Sequence, residues 1–391
     1  MLMSKSLSCS ILMAGSLLLG VMFTSMQANF SYGFNFGAAG DFGCGSNAGK
    51  TLSNIKSHTS VERVLALGDY SYQSSATCWL NLVESKNIDG RTKITIGNHE
   101  DDSDEDFGDY MDFFGLSQTY YAFTYGNARV IVMDSDRNSF SSGSNQYNFV
   151  ISQLQSASQN SNIKWIIVYL HKPMYTSPNE CSSGSCSNTG SDATNLRNTY
   201  HAKFDQYGVD VVLAGHIHNF QRTYPIKYDS GSPSSPIRTS TASTEYNDPT
   251  GQIHVIVGTG GINIHALSGK ASWVEDQQDD RFGALDLSIE NNGLTLAGRY
   301  YTNDGVLRDV FKITKTGAAQ YTFGPSLSLS GKEATSTVSG EDASLGISGD
   351  DETQAKNGKN NGKQLGQVNG QGEGLDCEHF TQQGPVRCRE P

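Results

Sequence analysis

Residues 63–72 read RVLALGDYSY, a β-rich apolar run that ends in Gly68-Asp69 and is followed by Tyr72. Four further runs share this pattern, in which an apolar segment is followed directly by a residue whose polar side chain can bind metal. They are FNFGAAG before Asp41, KITIG before Asn98, WIIVYL before His171 and VDVVLAG before His216. Apolar runs of about four to seven residues are typical of buried strands, so we expect five such strands here.

Helical and hairpin patterns accompany these strands. Residues 145–157 place apolar side chains on one face, and residues 195–207 form a second candidate helix. The segment AFTYGNARVIVMDS predicts a hairpin that turns at Gly126-Asn127, and a later segment predicts one that turns at residues 291–293. Strands that alternate with helices, together with hairpins, predict an α/β fold: a β-sandwich of mixed sheets flanked by helices.

The polar residues at the strand ends predict a metal site. In open α/β sheets, ligands bind beyond the carboxyl ends of the strands, so these side chains should meet at one edge. They are Asp41, Asp69 and Tyr72, Asn98 and His99 in GNHE, His171 in LHKPMY, and His216 and His218 in GHIH. Each motif alone has an ordinary structural explanation as a turn, a cap or a packed side chain. The ordered set is far more specific, and it indicates metal binding.

The number and chemistry of these ligands indicate two ions. Carboxylate and amide oxygens with imidazole nitrogens suit first-row metals such as Fe, Mn and Zn. One ion cannot use so many protein ligands and keep an open position. Two ions about 3.5–4 Å apart can do so if one carboxylate bridges them, and such pairs catalyse in-line displacement at phosphorus.

Composition excludes some classes of protein. The chain has 391 residues, a formal net charge of −12 and 36% hydrophobic residues. The acidic balance argues against a nucleic-acid-binding surface. It is compatible with a phosphorylated substrate, because bound cations supply local positive charge. The apolar content is enough for a core, so the whole chain is not disordered.

The motif set resembles the calcineurin-like metallophosphoesterases. GD, GDxxY, GNHE, a strand-end His and GHxH occur here in that order, and the tyrosine of GDxxY narrows the resemblance to purple acid phosphatases. It covers roughly Phe34 to Thr314 and implies the metallophosphoesterase-type β-sandwich. Few residues precede Asp41, so we expect a small form that consists of the catalytic domain alone, within residues 29–324.

The resemblance implies a role for each residue. Fe(III) would be held by Asp41, Asp69, Tyr72 and His218. A second ion (Fe, Zn or Mn) would be held by Asp69, Asn98, His171 and His216. Asp69 would therefore bridge the ions and serve in catalysis. The other catalytic residue would be His99, which would bind a phosphate oxygen or protonate the leaving group. Substrate contacts would come from Asn98, His99 and His216.

The implied activity is hydrolysis of phosphomonoesters by a metal-bound hydroxide. The substrate would be a phosphorylated small molecule or a phosphoprotein. Two alternatives stay open: a phosphodiesterase or nucleotidase on the same scaffold, and a non-catalytic metal-binding surface module. The stretch TSPNECSSGSC after His171 lacks the additional histidines of larger plant-type members, so substrate binding there should differ.

The chain ends have their own composition. Lys5 precedes an apolar run from Ile11 to Phe23, which predicts a cleaved secretory signal over residues 1–28, rather than an uncleaved anchor or a buried helix. No other run is long enough to span a membrane. The protein is therefore expected to be secreted or on the exterior of the cell envelope. Residues 325–391 are of low complexity and predict a disordered tail.

Cysteine usage fits export. Removal of Cys9 with the signal leaves six cysteines, an even number that suggests disulfides, although free buried thiols remain an alternative. Cys181 and Cys186 could close a small loop. Cys44 and Cys78 each follow a predicted strand end and could be neighbours. The last two, Cys377 and Cys388, lie in the tail.

Overall fold

A computed structural model of the chain describes residues 33–58, 62–101, 107–181 and 186–316. The predicted signal (1–28), the predicted tail (325–391) and the cysteines at positions 9, 377 and 388 lie outside the described residues. Within the described ranges, no helix combines the length and apolarity that a bilayer crossing requires.

The first sheet contains seven strands and is mixed. In spatial order they are β11 (Glu245–Asn247), β16 (Leu307–Thr314), β15 (Thr295–Thr302), β14 (Gly283–Glu290), β1 (Phe34–Ala39), β2 (Arg63–Ala66) and β3 (Thr92–Ile94). The strands β1, β2 and β3 run parallel to one another, whereas β14, β15 and β16 form an antiparallel meander beside β1. The parallel part carries three of the five predicted runs.

The second sheet also contains seven strands. In spatial order they are β13 (Val274–Gln278), β8 (Phe220–Thr223), β12 (Ile253–Val257), β7 (Val211–Ala214), β6 (Trp165–Tyr169), β5 (Ala128–Val132) and β4 (Tyr121–Tyr125). The central strands β5, β6, β7 and β12 are parallel. A separate two-stranded sheet pairs β9 (Ile226–Lys227) with β10 (Ile237–Arg238).

Helices flank the two sheets. They are α1 (Ser46–His58), α2 (Thr77–Ser85), α3 (Asn98–Asp101), α4 (Phe107–Phe113), α5 (Asn145–Gln159), α6 (Ser191–Leu196) and α7 (Ala202–Tyr207). A 3₁₀ turn spans Asp89–Arg91, and a π-helical turn spans Arg197–His201. The predicted α/β sandwich of mixed sheets with flanking helices is therefore confirmed.

The sequence patterns locate most local elements well. Helix α5 begins at the predicted residue, where the Ser144 hydroxyl accepts a hydrogen bond from the Tyr147 amide and caps the first turn. The two-residue turn at Gly126-Asn127 is confirmed, because Tyr125 pairs with Ala128 across it. The helix expected over 195–207 is correct at its end. It is wrong at its start, because the helical segment begins at Ser191 and is interrupted by the π turn.

The core is divided into two layers by the second sheet. Strand β6 shows the division: Trp165, Ile167 and Tyr169 face the cluster between the sheets. The alternate residues Ile166 and Val168 face an outer cluster that is covered by α5, α6 and α7. A strand buried on both faces needs apolar residues at every position, which explains the unbroken run WIIVYL.

One buried ion-pair network connects the sheets. Arg222 in β8 is fully buried, and its Nε lies 2.6 Å from Asp309 Oδ2 in β16 of the first sheet. Its Nη2 lies 2.6 Å from Glu275 Oε2, and its Nη1 donates to the Tyr246 hydroxyl at 3.2 Å. Because burial removes these charges from water, the stability of each charge depends on its ion-pair and hydrogen-bond partners.

We expect Arg222→Met to lower the free energy of unfolding by about 3–5 kcal/mol, because Asp309 would be left buried, and Glu275 partly buried, without their cation. Urea denaturation measures this loss. The matched control is Arg308→Met, whose exposed guanidinium lies 3.4 Å from Asp280. That change should cost less than about 1 kcal/mol. Equal losses in the two variants would contradict the prediction.

Candidate metal centre

The predicted ligands meet at one edge of the sandwich, where parallel strands of both sheets end. Asp41 follows β1, Asp69 and Tyr72 follow β2, and Asn98 follows β3, so the first sheet supplies oxygen donors. His171 follows β6, and His216 and His218 follow β7, so the second sheet supplies imidazoles. The docking of the two sheets therefore brings all seven side chains together.

Asp69 stands at the middle of this arrangement. Two groups of side chains place their ligand atoms within 4.8 Å of one another: Asp69 with His171 and His216, and Asp41 with Asp69 and His218. Asp69 belongs to both. Its Oδ2 lies 3.2 Å from His171 Nε2 and 3.1 Å from the Tyr72 hydroxyl. One carboxylate thus joins two adjacent sets of donors.

The group around Asp41 includes a phenol. The Tyr72 hydroxyl lies 3.2 Å from Asp41 Oδ1 and 3.0 Å from His218 Nε2. The other ring nitrogen of His218, Nδ1, lies 2.7 Å from the carbonyl oxygen of Asn263. A hydrogen bond from Nδ1–H to that carbonyl leaves the Nε2 lone pair directed at the carboxylates, as a metal ligand requires.

The group around His171 includes an amide. His171 Nε2 lies 3.2 Å from Asn98 Oδ1 and 3.2 Å from His216 Nδ1. His171 Nδ1 lies 2.8 Å from the carbonyl oxygen of Leu67, which fixes the ring in the same way as Asn263 fixes His218. His216 therefore offers Nδ1, whereas His171 and His218 offer Nε2.

The charges in this cluster shift its pKa values strongly. Burial alone would lower the pKa of His171, but the adjacent Asp69 carboxylate raises it to about 10. For His216, burial and then the positive charge on His171 hold the pKa well below its usual value. An imidazole must be neutral to bind a cation, so a cation bound here would displace a proton from His171.

Four of the seven predicted ligands have a left-handed backbone. The φ angles are 62° at Asp41, 56° at Asp69, 55° at Tyr72 and 68° at His216. Aspartate and histidine are among the residues that adopt this region most often without being glycine, whereas for the bulky Tyr72 it is unfavourable. Such strain costs on the order of 1–3 kcal/mol per residue and clusters at functional sites.

Residues 34–220 match the family model of the calcineurin-like phosphoesterases. This segment of the chain is therefore similar to that family. The expected resemblance is thereby confirmed, and with it the assignment to a superfamily of phosphoric ester hydrolases. The matched segment contains all seven candidate ligands.

Curated relatives are similar to part of the chain. An uncharacterised protein of Mycobacterium tuberculosis is 27% identical over 238 residues, which cover 52% of this chain and 44% of that protein. The Fe(3+)-Zn(2+) purple acid phosphatase 12 of Arabidopsis thaliana is 28% identical over 213 residues, which cover 49% of this chain and 43% of that protein. The chain therefore spans less than half the length of these two relatives.

The fold is shared with a purple acid phosphatase from yellow lupin (Lupinus luteus) seeds. The TM-score is 0.60 at 20% sequence identity, and the match covers 73% of this chain and 54% of that one. At this identity the likeness concerns the fold alone.

Glu100 is a structural residue of the centre that the sequence patterns did not reveal. Its buried carboxylate accepts hydrogen bonds from the amides of Asp69 (2.8 Å), Tyr70 (2.6 Å) and Gly97 (2.9 Å). Burial, and then the charge on Asp69, raise the pKa of Glu100 well above its usual value. In the turns after β2 and β3, these backbone amides are buried and need a hydrogen-bond acceptor. The side chain of Glu100, the last residue of GNHE, is that acceptor.

His99 lies beside the cluster. Its backbone amide donates to Asp69 Oδ1 at 3.0 Å, and its ring centroid lies 4.1 Å from that of Tyr72. The ring is partly exposed. Its predicted catalytic role stays a prediction.

Both expected disulfides are present in the structure. Cys44 is bonded to Cys78 and Cys181 to Cys186, with Cα–Cα separations of 5.8 Å and 5.9 Å. Cys44 closely follows Asp41, and Cys78 closely follows Tyr72, so the first bridge ties two ligand-bearing loops together.

Close packing explains the glycine of GNHE. A Cβ built on Gly97 would lie 2.2 Å from Asp69 Oδ1, whereas one built on Gly90 would meet no atom within 4 Å. We expect Gly97→Ala to displace the Asp69 carboxylate and to weaken zinc binding by about 10–100-fold. Gly90→Ala should leave zinc binding unchanged. Titration with Zn²⁺ compares the two variants, and equal affinities would refute this account of Gly97.

Another histidine lies in the buried layer that covers the second sheet. His201, in the π turn, has Nδ1 2.7 Å from the Tyr175 hydroxyl, and its ring centroid is 5.3 Å from that of His254. Its expected helical placement is confirmed. Burial lowers the pKa of His201 to about 3.

The depressed pKa of His201 predicts acid sensitivity. Its folded-state pKa lies below an unfolded value of about 6.5, so the stabilisation is complete above pH 6.5 and is lost as the pH falls toward 3. By pH 4.5 the loss should be about 2–3 kcal/mol. Urea denaturation at pH 7 and pH 4.5 measures it. His201→Gln should show a smaller difference between the two pH values, and an unchanged difference would contradict the assignment.

Proposed function

We propose that this chain is a dinuclear metal-dependent phosphatase that hydrolyses phosphomonoesters. One observation carries the proposal: Asp69 belongs to two adjacent donor groups, as a carboxylate that bridges two ions would. The family match and the similarity to purple acid phosphatases support the reaction class.

The donor chemistry fits two different ions. Asp41, Asp69, Tyr72 and His218 offer hard oxygens with one imidazole, which suits Fe(III). The second group has two imidazoles, one amide oxygen and one carboxylate, which suits Fe, Zn or Mn. Its members are His171, His216, Asn98 and Asp69. The Arabidopsis relative is named for an Fe(3+)-Zn(2+) pair, which supports an assignment of this kind.

The ions would activate water as the nucleophile and neutralise charge on the phosphoryl oxygens. The protein's own side chains would position the donor groups and the phosphoryl group. Asp69 fixes the spacing between the two donor groups. Its orientation is held by the backbone amide of His99 at Oδ1. Asn98 and His216 would also border the phosphoryl group.

His99 is the proposed proton donor. Its ring is partly exposed beside Tyr72, so it can reach a substrate that lies over the centre. A hydrogen bond from the ring to a phosphate oxygen, or to the leaving oxygen, would contribute to the rate as a general acid does.

The proposal includes the setting of the enzyme. Two disulfides among the described residues suit a secreted or cell-envelope location, since such bonds persist in oxidising compartments. The substrate would be a phosphorylated small molecule or a phosphoprotein.

Hydrolysis of p-nitrophenyl phosphate and bis-p-nitrophenyl phosphate by the purified chain tests the proposal. We expect metal-dependent turnover of the monoester, lowered about 10–100-fold by Asn98→Ala. The control is Asn148→Ala, on the exposed face of α5, which should match the unaltered chain. Diester turnover alone would favour a phosphodiesterase. Bound metal without any turnover would favour the non-catalytic module.

A spectroscopic readout separates the two ions. Fe(III) bound by the Tyr72 phenolate would give a visible charge-transfer band. Tyr72→Phe should abolish that band while leaving a second ion bound. A band that survives this substitution would remove Tyr72 from the ligand set.

A further inference from the structure

The Cys181–Cys186 disulfide contacts a candidate metal ligand. The Sγ atom of Cys186 lies 3.9 Å from His216 Nε2, the ring nitrogen opposite to the one directed at His171. Cys186 is 3% exposed and His216 is 7% exposed, so the contact is buried.

The bridge also packs against the turn that carries His216. Cys186, Ile217 and Ile256 form a small hydrophobic cluster, and Cys181 packs against it. Ile217 is the residue between His216 and His218. Ile256 in β12 pairs with Ala214, the last residue of β7 before the turn. The bridge therefore holds the GHIH turn on its outer side.

Both cysteines of the bridge are hydrogen-bonded to the side chain of Asn179. The Asn179 side chain accepts from the Cys181 amide at 3.0 Å and donates to the Cys186 carbonyl at 3.3 Å. The short separation of five residues leaves the bridge little freedom. The bridge that contacts His216 is therefore held at both of its cysteines.

His216 needs such support. Its φ of 68° is a conformation that persists only where the surroundings determine it. On its inner side, its amide donates to Asp41 Oδ2 at 2.9 Å. On the outer side, the bridge and Ile217 limit how far the turn can relax, and the sulfur limits rotation of the ring.

We propose that the Cys181–Cys186 disulfide is a positioning element for His216, so that affinity for the second ion depends on this bridge. The inference rests on the proposed dinuclear function. Groups that orient a metal-bound histidine from behind commonly change metal affinity by about 10–100-fold when they are removed. Here the disulfide and the apolar side chains packed around it lie behind the His216 ring, on the side of Nε2.

The experiment compares two double variants of the full chain. Cys181→Ala with Cys186→Ala removes the proposed positioning element. Cys44→Ala with Cys78→Ala removes the other bridge, whose Cys44 Sγ lies 3.5 Å from the Ser71 carbonyl oxygen. Chemical reduction is avoided, because the ligand atoms of Cys181, Cys186 and His265 lie within 4.8 Å of one another, and the freed thiols could bind zinc themselves.

The measurements are metal content per chain, Zn²⁺ affinity of the iron-loaded protein, the visible band from Tyr72, and the melting temperature. We expect removal of Cys181–Cys186 to weaken Zn²⁺ binding by about 10–100-fold while the band persists. Removal of Cys44–Cys78 should lower the melting temperature but leave Zn²⁺ affinity near that of the unaltered chain.

Some outcomes would overturn the inference. The first is a folded Cys181/Cys186 variant that binds Zn²⁺ with unchanged affinity. The second is a Cys181/Cys186 variant that loses both ions to the same extent and has a lowered melting temperature. If the double variant does not fold, Ile256→Val loosens the same cluster with the bridge intact and should still weaken Zn²⁺ binding. An unaltered chain that binds fewer than two ions would instead contradict the proposed function.

Discussion

The centre depends on one buried carboxylate that two sets of donors share. Asp69 lies within reach of His171 on one side and of Tyr72 on the other. A buried anion of this kind is stable only when it is surrounded by cations or hydrogen-bond donors. The positive charge on His171 and the amide of His99 serve that purpose, and two metal ions would serve it more completely.

The scaffold around Asp69 is built to hold unfavourable backbone. Four of the candidate ligands have a left-handed backbone conformation. Such a conformation persists only where the surrounding contacts prevent the turn from relaxing to another one. Glu100 accepts hydrogen bonds from three amides in two turns, and Gly97 leaves room for the Asp69 carboxylate. The Cys44–Cys78 bridge links the segments that follow Asp41 and Tyr72, and Cys186 of the other bridge contacts His216. The geometry of the site therefore depends on these neighbours as well as on the candidate ligands.

The sequence predicted which side chains meet at this edge, because buried strands and the polar residues at their ends are visible as patterns. The runs before Asp41, Asp69 and His216 became strands of the expected kind. Glu100 was not identified, because an acceptor for turn amides carries no pattern of its own. The π turn at Arg197–His201 likewise has no periodic signal, so this interruption was not predicted, and the helical segment begins earlier than expected, at Ser191. The tautomers of His171 and His218 depend on carbonyls that only tertiary structure brings near.

The division of donors between the sheets has a consequence for assembly. Oxygen donors come from the first sheet and imidazoles from the second, so neither sheet alone presents a complete site. In the order of synthesis, the oxygen donors all precede residue 171, and the last imidazole is at residue 218. A cation that binds both sets would act as a cross-link between sheets, adding its binding free energy to their docking. If two ions bind as proposed, sheets that have not docked could not hold them, and bound metal would report that the sandwich has closed.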